Sequence, residues 1–419
     1  MEQKDVVIIG GGPAGLAAAV ELHKQGIRNM IILEREAMLG GILRQCIHDG
    51  FGLGRFGESL SGPEYAQAFI DEVNKREIPY ETSATVLSLT ADRVVTASTR
   101  NGLRQYQAKA VVLAMGCKER SRGALGIPGE RPAGVFTAGT AQAYMNLYNR
   151  MPGKEVIILG SGDIGMIMAR RMTLEGAHVK AVYEVQPYPS GLPRNIEQCL
   201  NDYGIPLYLS HTVTDIYGRA RLEAVTVSQV DERLRPIPGT EERVECDTLI
   251  LSVGLIPAGD IANGSGLAVD GRTKGAFVDE HYQTSIPGVF AAGNVLHVHD
   301  LVDYVSEEAA AAGEHAAAYI AGGGAAAGRT LPVRCENGVR YTVPTTIRPD
   351  CAGDTVTLRF RVGGVYKNKK IAVYRGTDCI YSRKRPVLAP GEMETVRLKG
   401  ADLRAHPDAS CLTVTLEEA

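Results

Sequence analysis

A strand, a glycine-rich turn and a helix occur in the same order twice in this chain, and this repeat is the strongest constraint on its fold. The motif glycines have the spacing G-x-G-x-x-G and are Gly10, Gly12 and Gly15, and again Gly160, Gly162 and Gly165. Each copy continues into a second apolar strand that ends in an acid, Glu34 or Glu184, at the same separation from the first glycine. Two matching units predict an α/β chain with two Rossmann-like dinucleotide-binding domains, one inserted in the other.

The glycine spacing has a chemical purpose in such a unit. The first glycine permits a tight turn, the second lets a pyrophosphate approach the backbone, and the third lets the helix pack closely on the strand. The amide groups and the dipole at the start of the helix face the phosphate. The terminal acid hydrogen-bonds a ribose hydroxyl. A single copy could also be a tight turn without a ligand, but the second copy favours two dinucleotide sites.

Composition excludes several other classes of protein. The chain has 419 residues, 44% of them hydrophobic, and a formal net charge of −3, which argues against general nucleic-acid binding. No leader-like start and no apolar run of bilayer length is present, so we expect a cytoplasmic protein without a membrane span. The eight cysteines are scattered singly with no C-x-x-C motif, which supports neither a zinc site nor a redox pair of that type.

The rest of the chain predicts a third domain. Residues 301–320 form an Ala-rich helical segment, and residues 322–330 are a low-complexity linker. From Leu331 onward apolar and polar residues alternate, which predicts half-buried antiparallel strands in a C-terminal all-β, sandwich-like domain. The basic runs Lys367–Lys370 and Arg383–Arg385 are expected to be solvated loops. The predicted boundaries are 1–118 with 280–321 for the first dinucleotide domain, 119–279 for the second, and 331–419 for the β domain.

Residues 1 to about 320 resemble the two-dinucleotide-domain flavoproteins, the class of glutathione and thioredoxin reductases. Four features in the order typical of that class carry the resemblance: the opening motif with Glu34, Ala114–Gly116, the second motif, and Gly288–Asn294. It implies FAD at the first site and NAD(P)H at the second. Asn294 stands where the class usually has Asp, and Met115 where it usually has Thr.

Two further segments narrow the resemblance. Gly40–Arg44 is similar to the flavoprotein subunits of glutamate synthase and of opine and amine dehydrogenases. Gly40–Leu53 together with His297–Asp303 is similar to flavoproteins associated with glycerol-3-phosphate dehydrogenases. The disulfide reductases of the class have two cysteines after the Gly-Gly pair, and the matching positions here are Leu43 and His48. We therefore expect no redox disulfide.

The resemblance implies residues for both nucleotides. Those for FAD are Gly10, Gly12, Pro13, Ala14, Gly15, Glu34, Arg35, Gly41, Ile42, Leu43, Val86, Ala114, Met115, Gly116, Gly293, Asn294, Leu301 and Val302. Those for the nicotinamide nucleotide are Gly160, Ser161, Gly162, Asp163, Ile164, Gly165, Glu184 and Gly254. Glu184 favours NADH over NADPH, because a carboxylate there bonds a 2′-hydroxyl and repels a 2′-phosphate.

The candidate catalytic residues are His48, Cys46 and His299. Histidine titrates near neutral pH, so His48, His297 and His299 are candidates for proton transfer at the flavin edge, although structural hydrogen bonding is the simpler role. Cys46 could be a peroxidase-like thiolate or, more simply, a packing thiol. His297 and His299 could share a metal, but no third ligand is evident in the sequence, and no metal is predicted.

We therefore predict an FAD-dependent oxidoreductase that transfers hydride between NADH and an acceptor or a partner dehydrogenase subunit, with glycerol-3-phosphate dehydrogenase suggested by the resemblance. Two alternatives stay open at this point. One is a stand-alone NADH oxidase or peroxidase that uses Cys46. The other is a non-catalytic nucleotide-binding scaffold. The oligomeric state is left open as well.

Overall fold

The structure is a computed structural model that describes residues 1–322, 328–405 and 409–419. The chain divides into two compact units. The first contains Met1–Cys117 and Pro257–Ala419, and the second contains Lys118–Ile256. The predicted domain boundaries within these units stay predictions. Most of the predicted linker, residues 323–327, lies outside the described residues.

The first 117 residues form a parallel sheet with an antiparallel extension. The elements are β1 (Glu2–Ile9), α1 (Pro13–Lys24), β2 (Met30–Leu33), α2 (Gly62–Lys75), β3 (Tyr80–Glu81), β4 (Thr85–Leu89), β5 (Val94–Thr99) and β6 (Gly102–Leu113). The strand order is β3-β2-β1-β6-β5-β4. The end of β1, Val6–Ile9, is fully buried because both faces of a parallel sheet are covered. β6 is a single strand of 12 residues that serves both the parallel sheet and the antiparallel extension.

Residues 118–256 repeat the parallel sheet with an inserted antiparallel one. The elements are β7 (Cys117–Glu119), α3 (Arg122–Leu125), β8 (Val135–Thr137), α4 (Ala138–Asn146), β9 (Glu155–Leu159), α5 (Asp163–Leu174), β10 (His178–Glu184), α6 (Pro193–Cys199), β11 (Leu207–Leu209), β12 (His211–Tyr217), β13 (Ala224–Gln229), β14 (Glu242–Glu245), β15 (Thr248–Leu251) and β16 (Leu255–Pro257). The parallel sheet has the order β11-β10-β9-β15-β8, and β12, β13 and β14 form the antiparallel sheet. Both glycine motifs therefore lie where a central parallel strand ends and a helix begins.

The remainder of the first unit adds one strand to the first parallel sheet and then forms the β domain. The elements are β17 (Val289–Ala291), α7 (Val302–Gly322), β18 (Leu331–Cys335), β19 (Val339–Val343), β20 (Thr346–Ile347), β21 (Thr355–Val362), β22 (Tyr366–Arg375), β23 (Asp378–Leu388), β24 (Glu394–Lys399), α8 (Gly400–Arg404) and β25 (Leu412–Glu418). β17 pairs in parallel with β6. The C-terminal strands form two sheets, β20-β18-β25-β22-β23 and β19-β21-β24, with a shared apolar core.

One expectation for the C-terminal region is wrong. The basic runs Lys367–Lys370 and Arg383–Arg385 are not loops, because they lie in β22 and β23, which pair with each other. Acids on neighbouring strands neutralise part of this charge, as in the Lys370–Glu417 ion pair at 2.7 Å.

β21 is half-buried as its alternation predicts, with one exception. Val356, Leu358, Phe360 and Val362 fill the apolar core on one face of this strand. On the opposite face Arg359 is only 2% exposed. Arg359 is covered because the β domain packs against the dinucleotide-type part of the same unit.

α7 packs on α1 through small side chains. A Cβ on Gly313 of α7 would lie 2.8 Å from the Ala18 carbonyl oxygen of α1, so the two helix backbones are in close contact. Within the described residues, no helix has the length and apolar character that crossing a membrane requires.

Candidate functional site

The first glycine motif joins β1 to α1, and its three glycines are present for different reasons. Gly10 has a φ of +108°, and a Cβ there would lie 2.4 Å from the Ala114 carbonyl oxygen. A Cβ on Gly15 would lie 1.8 Å from the Gly10 oxygen. The packing of the chain on itself thus requires these two glycines. A Cβ on Gly12, by contrast, would meet no atom nearer than 3.7 Å, so Gly12 leaves room for a pyrophosphate.

The helices that begin at the two motifs have glycine as the N-cap residue. α2 begins with a complete capping box formed by Ser61 and Glu64. The N-cap residues of α1 and α5, Gly12 and Gly162, make no side-chain capping hydrogen bond within the described chain. The start of α1 is therefore suited to a phosphate, whereas in α5 the Gly165 N–H already donates to the Ser252 hydroxyl at 3.1 Å.

The acid of each motif is held in the same way. Glu34 accepts hydrogen bonds from the backbone N–H of Gly11 at 2.6 Å and of Glu36 at 2.8 Å. Glu184 accepts the equivalent bonds from Ser161 and Gln186, both at 2.9 Å. Both acids are buried. The sequence repeat is thus also a repeat of hydrogen bonds, and it places a carboxylate beside each glycine turn.

Glu184 has additional partners. The Ser161 hydroxyl donates to its Oε2 at 2.6 Å, and the Ser190 hydroxyl does so at 3.1 Å. Arg170 and Arg171 of α5 contact other groups, since Arg170 bonds the Tyr203 hydroxyl and Arg171 pairs with Glu175. The carboxylate therefore faces hydroxyl groups rather than a cation.

The structure brings separate predicted FAD-site segments together at the carboxyl end of the first parallel sheet. A Cβ on Gly41 would lie 2.9 Å from the Cα of Gly12, and one on Gly293 would lie 3.0 Å from the Cβ of Ala14. Ala114 contacts Gly10 as described above. The carboxyl end of a parallel sheet is where nucleotides bind in this type of fold.

The other residues predicted for FAD differ in exposure. Those that are buried are Leu43 and Val86. Those with large exposed side chains are Arg35, Ile42 and Leu301. Met115 and Gly116 follow β6, Pro13 is the first residue of α1, and Val302 is the first residue of α7.

In the second unit the motif glycines pack around Ser252. Cβ atoms on Gly160, Gly162 and Gly165 would lie 2.2, 2.9 and 2.5 Å from atoms of this residue. Asp163 accepts hydrogen bonds from the Leu192 N–H at 2.8 Å and from the Asn195 side chain at 2.7 Å. Asp163 therefore fastens the start of α6 to the motif. Ile164 lies on α5 between Asp163 and Gly165. Gly254 follows β15 and has a φ of +102°.

Cys46 has the properties of a packing thiol. Its Sγ lies 3.4 Å from the Ile42 carbonyl oxygen, and a Cβ on Gly62 at the start of α2 would lie 2.8 Å from its Cβ. Burial raises the pKa of Cys46 to about 12. The thiol is therefore protonated at neutral pH, which disfavours nucleophilic attack. His48 is half-buried, with its ring 5.0 Å from that of Phe51.

His297 and His299 meet an acid that the sequence analysis missed. His297 Nε2 lies 2.8 Å and His299 Nε2 lies 3.4 Å from Glu308 Oε2. The other oxygen of Glu308 accepts the backbone N–H of Gly293 at 2.8 Å. Asn294 Oδ1 accepts the His299 N–H at 3.0 Å and lies 3.3 Å from its Nδ1. The histidines are thus connected to the Gly293–Asn294 turn.

Arg359 of β21 completes this group. Its Nη1 lies 3.6 Å from Glu308 Oε2 and donates to the Tyr282 hydroxyl at 3.1 Å. We call His297, His299, Glu308, Tyr282 and Arg359 the ionic cluster. A sequence signal existed for Glu308, because it falls three residues after Val305 and four before Ala312 on the buried face of α7. No local signal exists for Arg359.

The charges of the ionic cluster follow from its burial. Burial lowers the pKa of His297 to about 4, so its ring is neutral at pH 7. Burial would raise the pKa of Glu308, but the adjacent His297 and His299 and their hydrogen bonds hold that pKa well below its usual range. The Arg359 guanidinium, which is always charged, lies 3.6 Å from the same carboxylate oxygen. Burial opposes this charge, while Tyr282 and Glu308 raise the pKa of Arg359.

The ligand atoms of His297, His299 and Glu308 lie within 4.8 Å of one another, a separation that a metal ion could bridge. Glu308 is the third ligand that the sequence did not reveal. The Arg359 guanidinium lies beside the same carboxylate oxygen, however, and would repel a cation. We therefore interpret the group as an ionic cluster of hydrogen-bonded side chains.

Two glycine motifs with matching buried acids define a chain built on the plan of proteins that bind two dinucleotides. The model of the family described as "Pyridine nucleotide-disulphide oxidoreductase" matches residues 4–316, and the chain belongs to this family. The match ends before β18. It confirms the predicted superfamily.

Relatives of known identity include subunits of larger enzymes. An opine oxidase subunit from Agrobacterium tumefaciens (strain Ach5) is 28% identical over 313 residues, which cover 69% of this chain and 61% of the relative. Hydrogen cyanide synthase subunit HcnB of Pseudomonas protegens is 27% identical over 319 residues, which cover 69% of this chain and 65% of the relative. The chain thus spans slightly less than two thirds of the length of these relatives.

A solved structure shows the same fold. The crystal structure of T. acidophilum thioredoxin reductase has a TM-score of 0.61 at 25% identity, covering 76% of this chain and 99% of that one. The predicted fold class, with two Rossmann-like domains and additional C-terminal β structure, is confirmed.

Proposed function

We propose that this protein is an FAD-dependent oxidoreductase that transfers electrons between NADH and a partner dehydrogenase subunit without a redox disulfide. The main support for this proposal is that equivalent backbone hydrogen bonds hold the acid beside each of the two glycine turns. In a chain of this family, Glu34 and Glu184 are each buried beside a glycine turn and bonded to its backbone. Such a pair of sites supports one nucleotide cofactor that stays bound and one that exchanges.

The residues of the first site fit FAD. The open side of Gly12 and the start of α1 bind the pyrophosphate, and Glu34 binds the adenosine ribose. Asn294 hydrogen-bonds the ribityl chain of the flavin. The positive end of the α7 dipole, at Val302, stabilises negative charge on the reduced flavin ring. FAD, when bound, accepts a hydride from NADH and passes the electrons to an acceptor.

The second site supports NADH as the nucleotide. The Glu184 carboxylate is buried, and its partners are two serine hydroxyls and two backbone N–H groups. A 2′-phosphate would meet this negative charge, and the two arginines of α5 bond Tyr203 and Glu175 instead. Selection of NADH follows from this arrangement.

A route through thiols is disfavoured by the residues near the Gly-Gly turn. Leu43 and His48 occupy the positions at which the reductases have cysteines, and Leu43 is buried. The raised pKa of Cys46 opposes the alternative NADH oxidase or peroxidase as well. His48 and His299 remain the proposed proton-transfer residues.

The partner is proposed from the relatives. The two reported above are named as subunits of an opine oxidase and a hydrogen cyanide synthase, which supports a relay between subunits. The sequence resemblance suggests glycerol-3-phosphate dehydrogenase as the partner. A cytoplasmic location also stays a prediction.

The decisive test of the cofactor is to denature the purified protein and identify the released flavin. FAD is expected, whereas FMN or no flavin would contradict the proposal. Rapid anaerobic bleaching of the flavin by NADH would exclude the scaffold alternative. Robust turnover with oxygen or peroxide in the absence of any partner would favour the peroxidase.

A further inference from the structure

The β domain contributes a side chain to the ionic cluster. Arg359 comes from β21, beyond residue 316 where the family match ends. It is 2% exposed, although its strand neighbours Thr357 and Arg361 are more accessible. Its guanidinium contacts Tyr282, Glu308 and, at 3.4 Å, Glu307.

Glu308 needs this arginine. Its side chain has no solvent exposure, and a buried carboxylate is unfavourable unless a charge and hydrogen bonds compensate it. Among the described residues, its ion-pair partners are His297, His299 and Arg359. Arg359 alone of these is always charged.

Glu308 in turn holds the turn that closes the proposed FAD site. Its Oε1 accepts the Gly293 N–H, and Gly293 has a φ of +75° and packs against Ala14 at the start of α1. Its Oε2 accepts from His297. Asn294 follows directly and bonds His299.

We propose that Arg359 is a positioning residue of the flavin site: by neutralising Glu308 it lets the charged carboxylate hold Gly293–Asn294 and the two histidines in place. The β domain thereby completes a site formed by the dinucleotide-type part of the unit. This inference rests on the proposed binding of FAD. It gives the β domain a function in cofactor retention.

Other charged or titratable groups surround the ionic cluster and contribute to the electrostatic potential at Glu308. Those on α7 and the preceding loop are Asp300, Tyr304 and Glu307, and those on the β domain are Tyr341, Arg361 and Arg397. Glu307 and Arg397 are exposed and are screened by water.

The first test is FAD retention. Arg359→Gln leaves the buried Glu308 carboxylate without its permanent counter-charge, and part of this free-energy cost should displace the Gly293–Asn294 turn. The dissociation constant of FAD should therefore rise at least about tenfold. Arg359→Lys, which keeps the charge, should restore most of the affinity. Arg375→Gln is the matched control, since this arginine is also buried in the β domain but pairs with Asp378 rather than Glu308.

The second test needs no flavin. In the native apoprotein the pKa of Glu308 is lowered, so its contribution to stability is present above its ordinary pKa and is lost only at lower pH. Without Arg359 the buried carboxyl loses the permanent positive charge that lies 3.6 Å from its Oε2, so its pKa should rise. The Arg359→Gln apoprotein should therefore lose stability relative to the native chain as pH rises from about 5 to about 8. Glu308→Gln combined with Arg359→Gln should abolish this dependence.

The outcomes separate the two proposals. A native protein without FAD contradicts the proposed function. A native protein with FAD, together with an Arg359→Gln variant that binds FAD as tightly as Arg375→Gln does, overturns the role of Arg359. Equal pH dependence in the single and double variants also overturns it, as does a stoichiometric divalent metal bound to the cluster.

Discussion

Replacing Glu184 tests the nucleotide preference most sharply. The native carboxylate is 4% exposed and would lie close to a 2′-phosphate. Two unit charges about 4 Å apart repel by about 1 kcal/mol in bulk water and about 4 kcal/mol at an effective dielectric constant of about 20. The expected preference for NADH is therefore at least about tenfold, on the order of 1.4 kcal/mol. Glu184→Gln removes the charge and should reduce this ratio severalfold.

Glu184→Gln also lowers the stability of the protein, and the experiment must distinguish this loss from the change in nucleotide preference. A glutamine amide can accept through only one atom, while Glu184 receives N–H donors at both oxygens, so one donor loses its partner. This costs about 1–3 kcal/mol of stability. Ser190→Ala is the matched control, because it removes one hydrogen bond to Glu184 but keeps the negative charge.

The assay is the anaerobic rate of flavin reduction at subsaturating NADH and NADPH, measured by stopped flow. The native protein and Ser190→Ala should both prefer NADH, and Glu184→Gln should not. Equal native rates with the two nucleotides, or an unchanged ratio in a folded Glu184→Gln variant, would refute the electrostatic reasoning.

Three other substitutions or conditions give clear expectations. Gly15→Ala should prevent FAD binding or folding, since its Cβ would lie 1.8 Å from the Gly10 oxygen, whereas Gly123→Ala should be tolerated, since its Cβ would meet only Ser121 Oγ at 3.8 Å. Thermal unfolding and flavin content measure both effects. A stable Gly15→Ala variant that still binds flavin would contradict this interpretation of the turn. Cys46→Ser should keep most of the NADH-driven reduction of an artificial dye, and a loss of robust native peroxide turnover in this variant would instead favour the peroxidase. Because burial lowers the pKa of His297 to about 4, and also that of His315 to about 4, both groups bind fewer protons folded than unfolded. The protein should therefore lose stability as pH falls from about 6.5 to about 4, and a flat stability profile over that range in urea titrations would contradict the buried neutral rings.

The part of the structure that is local in sequence could be predicted. The positive φ of Gly10 and the contact of Gly15 with the Gly10 oxygen lie within one strand-turn-helix unit, and the acids Glu34 and Glu184 lie one strand further on. The spacing of such residues in the chain reflects their spacing in the fold. Residues up to β17 could therefore be assigned to the fold and to the candidate cofactor sites.

The ionic cluster could not be predicted in full, because it depends on a contact between distant segments. Arg359 alternates with apolar residues in β21 as a solvent-facing residue would, and only the packing of the β domain buries it. The basic runs of β22 and β23 are misleading for a similar reason. Their charges suggest loops, whereas pairing with each other and ion pairs such as Lys370–Glu417 allow strands.

The central claim is that electrons pass between NADH and one flavin without a second redox group in the chain. Anaerobic titration of the purified protein with NADH, followed by its visible spectrum, tests this claim most directly. We predict complete bleaching at one equivalent of NADH per FAD. Consumption of a second equivalent before full bleaching would reveal another redox centre, such as a disulfide, and would contradict the account.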